Sequence, residues 1–456
     1  MKDLTEGSVV RHLLQMAAFM AVSMLVQTLY LLADLYWVGR LGKEAIAAVG
    51  VAGNLMMIVL ALTQMLGVGT TTVIAQAAGR KDQPNAERAM NQSLAMSVLI
   101  AVAFWLLGLA ARNVYANGLS ADAPTAALAR NYLGWFIPAL ALQFPLVTLG
   151  SALRATGIMK PGMLVQVLSV VLNIVFAPLF IFGIGPWPAM GVSGAALATF
   201  VAVLVADVVM LIYFEKKYQY LRIPAAQFSP QMKTWWAILK IGLPAGAEFA
   251  LLSIYAGVVY VIIRRFGAAA QAGFGVGARL MQAMFLPVMA LSFAVEPLVG
   301  QNFGGRRADR VRASVKAAIA LACGMMLVLA LITWLAAPMM IRPFSRDPNV
   351  IAFGSEYLTI VALNFIASGI AFSSSSVFQG IGNTVPPLLS TASRLLLFAL
   401  PAALLSQTAG FQIRYVWYLS VASQFIQACF NLLLLRRELA RKLNFTETPI
   451  AATAPG

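Results

Sequence analysis

The sequence has 456 residues, of which 61% are hydrophobic and only 11% are charged, and its mean hydropathy is +0.83. This composition excludes a water-soluble globular protein, whose surface needs many more polar side chains. The net charge is +16, but Lys and Arg lie mainly in short segments between apolar stretches, which indicates membrane topology and no nucleic-acid partner. Cys323 and Cys429 lie inside apolar segments and lack the spacing of a metal or redox site.

Apolar stretches long enough to cross a bilayer, about 20 residues or more, follow one another along the whole chain. We predict an all-α membrane protein with spans centred near Met24, Leu60, Val102, Leu142, Val171, Val203, Ser253, Met284, Met325, Ala362, Leu397 and Phe425. The longest polar connection, 215–233, is interpreted as a cytoplasmic linker. It separates an N-lobe of six spans (1–214) from a C-lobe of six spans (234–442), and a flexible tail is expected at 443–456.

The basic residues are unevenly distributed between alternate connections. Arg80, Lys81, Arg306 and Arg307 are examples from the richer side, which also holds the basic C-terminal segment. Because cytoplasmic loops carry the excess of Lys and Arg, both termini of this multi-pass protein are predicted to be cytoplasmic.

The two halves of the sequence repeat each other at a constant shift of 225 residues. Pairs at this spacing are Arg40 with Arg265, Gln76 with Gln301, Gly79 with Gly304, Gly157 with Gly382, and Pro161 with Pro386. Six spans separate each pair, and six is an even number, so both copies enter the membrane in the same direction. The sequence therefore predicts two parallel six-helix repeats that face each other across a central cleft.

Four short motifs resemble those of multidrug and toxic compound extrusion (MATE) transporters, most closely the DinF-like and MepA-like bacterial branches. They are YLLADLYWVGRLG at 30–42, RATG at 154–157, GLP at 242–244 and VGQNFG at 299–304. The resemblance covers nearly the whole chain. It implies two lobes forming a V-shaped cleft, drug export driven by a proton or sodium gradient, and a location in the bacterial inner membrane.

The resemblance also implies that Asp34, near the outer end of the first span, is a cation-coupling residue. Inside the N-lobe this carboxylate could take up a proton, or it could hold Na⁺ together with Asn173 and backbone carbonyls. The alternative is an interfacial residue that meets headgroup water. Relatives carry Asn-x-x-x-Asp-Pro in the fifth span, whereas this chain has Ala177 before Pro178. The missing acid favours protons slightly, because Na⁺ needs several oxygen ligands.

Glu248 and Arg394 are predicted to lie at comparable depths in the seventh and eleventh spans of the C-lobe. A charge in hydrocarbon needs a partner, a water-filled cavity or a proton. We consider two alternatives: Glu248 binds a cationic substrate or exchanges between substrate, proton and Arg394, or the two residues form a permanent structural ion pair.

Other residues are weaker candidates. Glu296 and Asp207 are expected near cytoplasmic span ends, where contact with the loops or the interface accounts for them. Soft and aromatic side chains are expected to line the cleft and give adaptable contacts. The candidates for this lining are Tyr30, Met56, Met57, Tyr255, Met281, Met284 and Phe285.

No enzyme signature is found: the sequence has one histidine, His12, no phosphate-binding glycine loop and no metal-ligand cluster. We therefore expect no cofactor beyond H⁺ or Na⁺ as the coupling ion. The predicted function is cation-coupled antiport of small lipophilic or cationic drug-like compounds by a monomer embedded in membrane lipid. The alternative is a lipid-linked precursor flippase, although such proteins usually line the cavity with several basic residues.

Overall fold

The computed structural model describes residues 1–183, 188–408 and 410–445, and every regular element within them is helical. The α-helices are α1 (Val9–Gly39), α2 (Lys43–Gly53), α3 (Leu55–Gly79), α4 (Gln83–Leu119), α5 (Ala123–Ala155), α6 (Lys160–Phe182), α7 (Val192–Lys216), α8 (Met232–Ile263), α9 (Ala268–Gly304), α10 (Ala308–Ile341), α11 (Pro348–Val361), α12 (Asn364–Gly380), α13 (Val385–Leu405) and α14 (Ile413–Lys442). Short 3-10 helices occupy Ala225–Phe228 and Arg264–Phe266. Most of the expected C-terminal tail, from 446 onward, lies outside the described residues.

The helices have the length and surface of membrane spans. Within the described residues, eleven spans are long and apolar enough to cross a bilayer, or up to twelve if α11 and α12, bent by 55° at their junction, form one span. Leu107 and Leu335, on the outer surface, are more than 70% exposed. Helices satisfy their own backbone hydrogen bonds, so they tolerate an apolar solvent, and the apolar exterior is the surface that lipid covers.

The structure confirms the internal repeat. The shift of 225 residues relates the first residues of α2 and α9, Lys43 and Ala268, and those of α4 and α10, Gln83 and Ala308. It also relates two connections in which a residue other than glycine has positive φ, Lys81 at 60° and Arg306 at 56°. Each half therefore contains the same six-span unit, down to the strained residue after its second span.

Each lobe has its own apolar core, but the N-terminus is shared. Two buried clusters lie in the N-lobe, around Phe144 and around Phe214, and one lies in the C-lobe, around Phe365. Leu4 and Leu13 belong to the C-lobe cluster although they precede or begin the first span. The N-terminal segment consequently links the two lobes at one end of the molecule.

Small residues let the lobes approach closely along α3 and α8. A Cβ at Gly69 would lie 2.5 Å from the carbonyl oxygen of Ile238, and one at Gly246 would lie 2.6 Å from that of Ala61. The interlobe contacts continue toward the ends of α3 and α9 that the basic loops predict to be cytoplasmic. The lobes are thus sealed along the inner half of the molecule, and Met57 in α3 reaches Ser253 in α8 at the outer limit, with 3.6 Å between its sulfur and the serine hydroxyl.

Candidate functional site

A cavity of about 410 Å³ lies inside the C-lobe, between α8, α9, α11, α12, α13 and α14. Its volume is within the range of small-molecule binding pockets. Aromatic and aliphatic side chains form most of its wall, and Glu248 and Arg394 are its charged members among the described residues. The two C-lobe residues predicted from the sequence therefore face one chamber.

Glu248 is held by hydroxyl groups. Its side chain is 9% exposed, and the Ser375 hydroxyl lies 2.9 Å and 3.1 Å from its two carboxylate oxygens. The Thr391 hydroxyl lies 3.4 Å from Oε1 and itself accepts a hydrogen bond of 3.0 Å from Gln427. Three helices, α12, α13 and α14, thus contribute polar groups that fix this carboxylate without neutralising it.

Arg394 does not form the ion pair considered as one alternative. The ion pairs found in the described part of the chain involve other residues, and none includes Glu248 or Arg394. Thr391, one turn earlier on α13, occupies the position beside the carboxylate, and the Arg394 guanidinium instead lies over the Tyr255 ring at 4.4 Å. A permanent structural pair is therefore absent from the described residues, and both charges remain available within the cavity.

Asp34 is buried inside the N-lobe. It is 7% exposed, and its Oδ1 has no hydrogen-bond partner among the described residues. Its charge is close enough to Tyr30 and Tyr132 to interact with both. The interfacial alternative, in which Asp34 simply meets headgroup water, is wrong, because α1 turns this side chain inward.

Thr199 on α7 joins the groups around Asp34. Its hydroxyl lies 3.1 Å from the Tyr30 hydroxyl and accepts a hydrogen bond of 3.0 Å from Asn173 Nδ2. The Asn173 side-chain oxygen has no partner within the described chain. Asp34 and Asn173 therefore share a polar chamber through Tyr30 and Thr199, with no direct hydrogen bond between them among the described contacts.

Neither Thr199 nor Tyr132 was expected from the sequence. The repeat contained a signal: Tyr30 corresponds to Tyr255, and each tyrosine hydroxyl bonds a hydroxyl in the last helix of its own lobe. In the C-lobe that partner is Ser420, at 2.8 Å. Comparing the two halves for paired hydroxyls would have identified Thr199.

Glu296 does not lie at a lipid interface, and the expectation of contact with loops or headgroups is wrong. It is 1% exposed, because α9 continues for two turns to Gly304 and holds Glu296 in the seam between the lobes. The Thr72 hydroxyl lies 3.3 Å from its Oε1, and the charge of Arg154 on α5 interacts with it. Arg154, expected only as a basic loop residue, lies with its guanidinium 5.2 Å from the Phe293 ring.

Asp207 is also buried, which contradicts the interfacial expectation. It is 6% exposed, and neither carboxylate oxygen has a hydrogen-bond partner among the described residues. The reason is again helix length, since α7 continues to Lys216 and keeps Asp207 against the interior of the lobe.

The predicted cleft-lining residues separate into two groups. Tyr255, Met281 and Phe285 line the C-lobe cavity. Four others do not contribute to its wall: Met284, Met56, Met57 and Tyr30. Met284 packs against the C-lobe core, Met56 and Met57 are exposed on α3, and Tyr30 belongs to the Asp34 chamber.

Comparison with known proteins gives consistent relatives across the chain. The FAD transporter of Shewanella oneidensis is 25% identical over 412 residues, which cover 89% of this chain and 90% of that protein. The multidrug export protein MepA of Staphylococcus haemolyticus is 26% identical over 382 residues, covering 83% and 82%.

A solved structure of a MOP superfamily transporter from Pyrococcus furiosus, whose study concerns a binding pocket of reversed polarity, has the same fold. Its TM-score is 0.89 at 26% identity, covering 96% of this chain and 98% of that one. The MatE family model matches residues 20–179 and 244–405, one block in each lobe. With the twofold-repeated helical fold and the motifs of both halves, these matches show that the chain belongs to the MATE family of multidrug efflux transporters.

Proposed function

We propose that this protein exports small organic compounds across the bacterial inner membrane in exchange for protons, by alternating access between its two lobes. The observation that carries this proposal is the presence of one buried carboxylate in each lobe, Asp34 and Glu248, with neither in an ion pair among the described residues. Charged groups inside a membrane are costly and are characteristic of ion pathways. Two separate sites allow ion and substrate to bind different lobes.

Asp34 is the proposed ion site. An unpartnered carboxylate oxygen beside two tyrosines can accept a proton without other ligands. The oxygens of Asn173 and Thr199 are the nearest polar groups in its chamber that could serve Na⁺ instead, and they supply fewer oxygens than sodium usually takes. The absence of an acid at Ala177 supports the same choice.

The sealed inner half supports alternating access. Both termini are proposed to be cytoplasmic, so the contacts along α3, α8 and α9 would close the cytoplasmic side while the cleft faces outward. Proton binding at Asp34 would then shift the equilibrium between this arrangement and the inward-facing one, because a ligand changes a conformational equilibrium only through different affinities for the two states.

Substrate is proposed to enter the C-lobe cavity, and one copy of the chain is sufficient because both sites lie within it. The lipid-linked precursor flippase is less favoured, since the cavity holds one basic side chain, Arg394, among the described residues. The names of the relatives, a FAD transporter and a multidrug export protein, fit organic solutes of more than one charge class.

Dye accumulation in a bacterium lacking its own drug pumps tests the proposal. Cells that produce the protein should retain less ethidium than control cells, and a protonophore should remove the difference. Asp34→Asn should behave like the empty control, whereas Glu44→Gln, which neutralises an exposed acid near the same end, should retain full export. Export that persists without a proton gradient but requires sodium would replace the coupling ion.

A further inference from the structure

Two hydrogen-bond donors in the C-lobe cavity have no acceptor among the described residues. They are Arg394 Nε and the indole nitrogen of Trp417, and both atoms are buried. A buried donor without an acceptor is unfavourable, so native proteins rarely retain one unless a ligand, ion or water completes it. Two such donors in one chamber indicate an occupant rich in acceptor atoms.

The two donors lie toward the same end of the cavity. The Arg394 charge interacts with Tyr357, and the Tyr357 ring packs against Trp417 with 4.7 Å between ring centroids. A single oxygen-bearing group placed beside Tyr357 is therefore within reach of both sides. A guanidinium is well suited to such a group, because it binds carboxylates and phosphates through two parallel hydrogen bonds.

Glu248 does not meet the demand of Arg394. Its two oxygens already receive hydroxyl hydrogen bonds from Ser375 and Thr391, and the ion-pair distance to Arg394 is not reached. The cavity therefore presents an occupied acceptor at one position and an unoccupied cationic donor at another. This arrangement favours an anionic guest over a purely cationic one.

The wall of the cavity selects for a flat apolar body behind the acidic group. Phe274 and Trp417 are stacked with an interplanar angle of 11° and 5.7 Å between centroids, and Tyr255 lies 4.7 Å from Phe398. Aromatic walls of this kind favour stacked or edge-to-face contacts with a planar ring system. The side-chain oxygens of Asn364 and Gln427, which also lack partners in the described chain, would accept hydrogen bonds from ring N–H or O–H groups.

We propose that the C-lobe cavity binds planar aromatic anions, with the carboxylate or phosphate on Arg394 and Trp417 and the ring system between the aromatic walls. The inference deepens the proposed function and rests on it, because it names the substrate class of the exporter's C-lobe site. It differs from the sequence-based expectation of cationic substrates.

Equilibrium binding to the purified protein in nanodiscs of zwitterionic lipid tests this site without any ion gradient. The probes are riboflavin 5′-phosphate and riboflavin, which share the same ring system and differ in the phosphate, and flavin fluorescence reports binding. The phosphate should bind at least about tenfold more tightly, as expected for charge-assisted hydrogen bonds. Equal affinities for the two flavins would overturn the proposal without any variant being needed.

Variants then identify the anchor. Arg394→Ala should abolish the preference for the phosphate, and Arg394→Lys should restore part of it, because the charge returns without the fork of donors. Glu248→Gln should retain or increase the preference, since a neighbouring negative charge is removed. The matched control is Arg279→Ala, which removes an exposed arginine outside the cavity wall and should change neither affinity. A preference that survives Arg394→Ala would contradict the proposal.

A second set of nanodiscs containing phosphatidylglycerol distinguishes a small aromatic anion from a lipid headgroup. The probe should bind equally well in both sets if the aromatic wall is required. Competition by the anionic lipid would identify a headgroup site and overturn the proposed class. Because binding is measured without transport, failure here leaves the Asp34 coupling test intact, and failure of that test leaves this one intact.

Discussion

Gln76 and Gln301 make the same hydrogen bond in opposite directions across the boundary between the lobes. Gln76 Nε2 donates to the carbonyl oxygen of Gly380 at 2.9 Å, and Gln301 Nε2 donates to that of Ala155 at 2.8 Å. Both donors and both acceptors are related by the shift of 225 residues. The inner seal is therefore an interface with approximate twofold symmetry, in which each second span of the repeat binds the opposite lobe.

Gly79 and Gly304 give this seal its first prediction. A Cβ at Gly79 would overlap the Gln301 carbonyl oxygen, and a Cβ at Gly304 would overlap that of Gln76. Either Gly→Ala change should therefore force the inner ends of α3 and α9 apart, at a cost of about 1–3 kcal/mol. Spin labels on the cytoplasmic ends of the two lobes should report longer distances in both variants.

Gly150→Ala is the matched control, since a Cβ added to this helical glycine on α5 would have no neighbouring atom within 4 Å. It should leave the spin-label distances unchanged. Unchanged distances in Gly79→Ala as well would show that the contact does not hold the lobes together.

Thr199 is predicted to be required for export although it carries no charge. Thr199→Val removes the hydroxyl that connects Tyr30 with Asn173, leaving both groups without their shared partner beside Asp34. Losing buried hydrogen bonds costs about 1–3 kcal/mol. We expect a several-fold fall in the rate of gradient-driven dye export.

Thr333→Val controls for the change in side-chain chemistry. Thr333 is also fully buried, on α10, but its hydroxyl has no hydrogen-bond partner among the described residues. Export should remain near the wild-type rate. Equal losses in the two variants would mean that Thr199 acts through packing alone.

Ser375 and Ser374 offer a comparison between neighbours on α12. Both are buried, but only the Ser375 hydroxyl bonds Glu248, whereas that of Ser374 has no partner within the described chain. Ser375→Ala should lower the free energy of unfolding by about 1–3 kcal/mol, because it deprives a buried carboxylate of a donor. Ser374→Ala should have little effect, and thermal unfolding in detergent measures both.

Glu296 and Arg154 should show energetic coupling across the seam. Glu296→Gln removes the charge that interacts with Arg154, and Arg154→Gln removes the other member. The double change should lower stability by less than the sum of the two single changes, with a coupling free energy of about 0.5–3 kcal/mol. Strict additivity in a double-mutant cycle would show that the two charges act independently.

The sequence was sufficient to predict the spans and their repeat, because membrane thickness fixes helix length and the repeat fixes register. Counting residues along each helix also placed Glu248 and Arg394 at comparable depths, and both side chains line one cavity. The direction in which a side chain points was harder to predict. These helices are apolar on nearly every face, so the periodicity that reveals the buried side of a soluble helix is weak here.

The errors follow from that missing information. Counting residues places Glu296 and Asp207 near span ends, but it does not reveal that α9 and α7 continue inside the protein beyond them. It also did not show that Thr391, and not Arg394, lies beside Glu248. Such choices depend on how α8 and α13 are rotated against each other, which packing between neighbouring helices determines.

Proton release measured in proteoliposomes tests the central claim most directly. In vesicles with an acidic lumen, adding an exported dye should raise the luminal pH with wild-type protein and with Glu44→Gln, because each dye molecule that enters is exchanged for protons. Asp34→Asn should leave the luminal pH unchanged. A wild-type rise in luminal pH with Asp34→Asn would contradict proton coupling at this carboxylate.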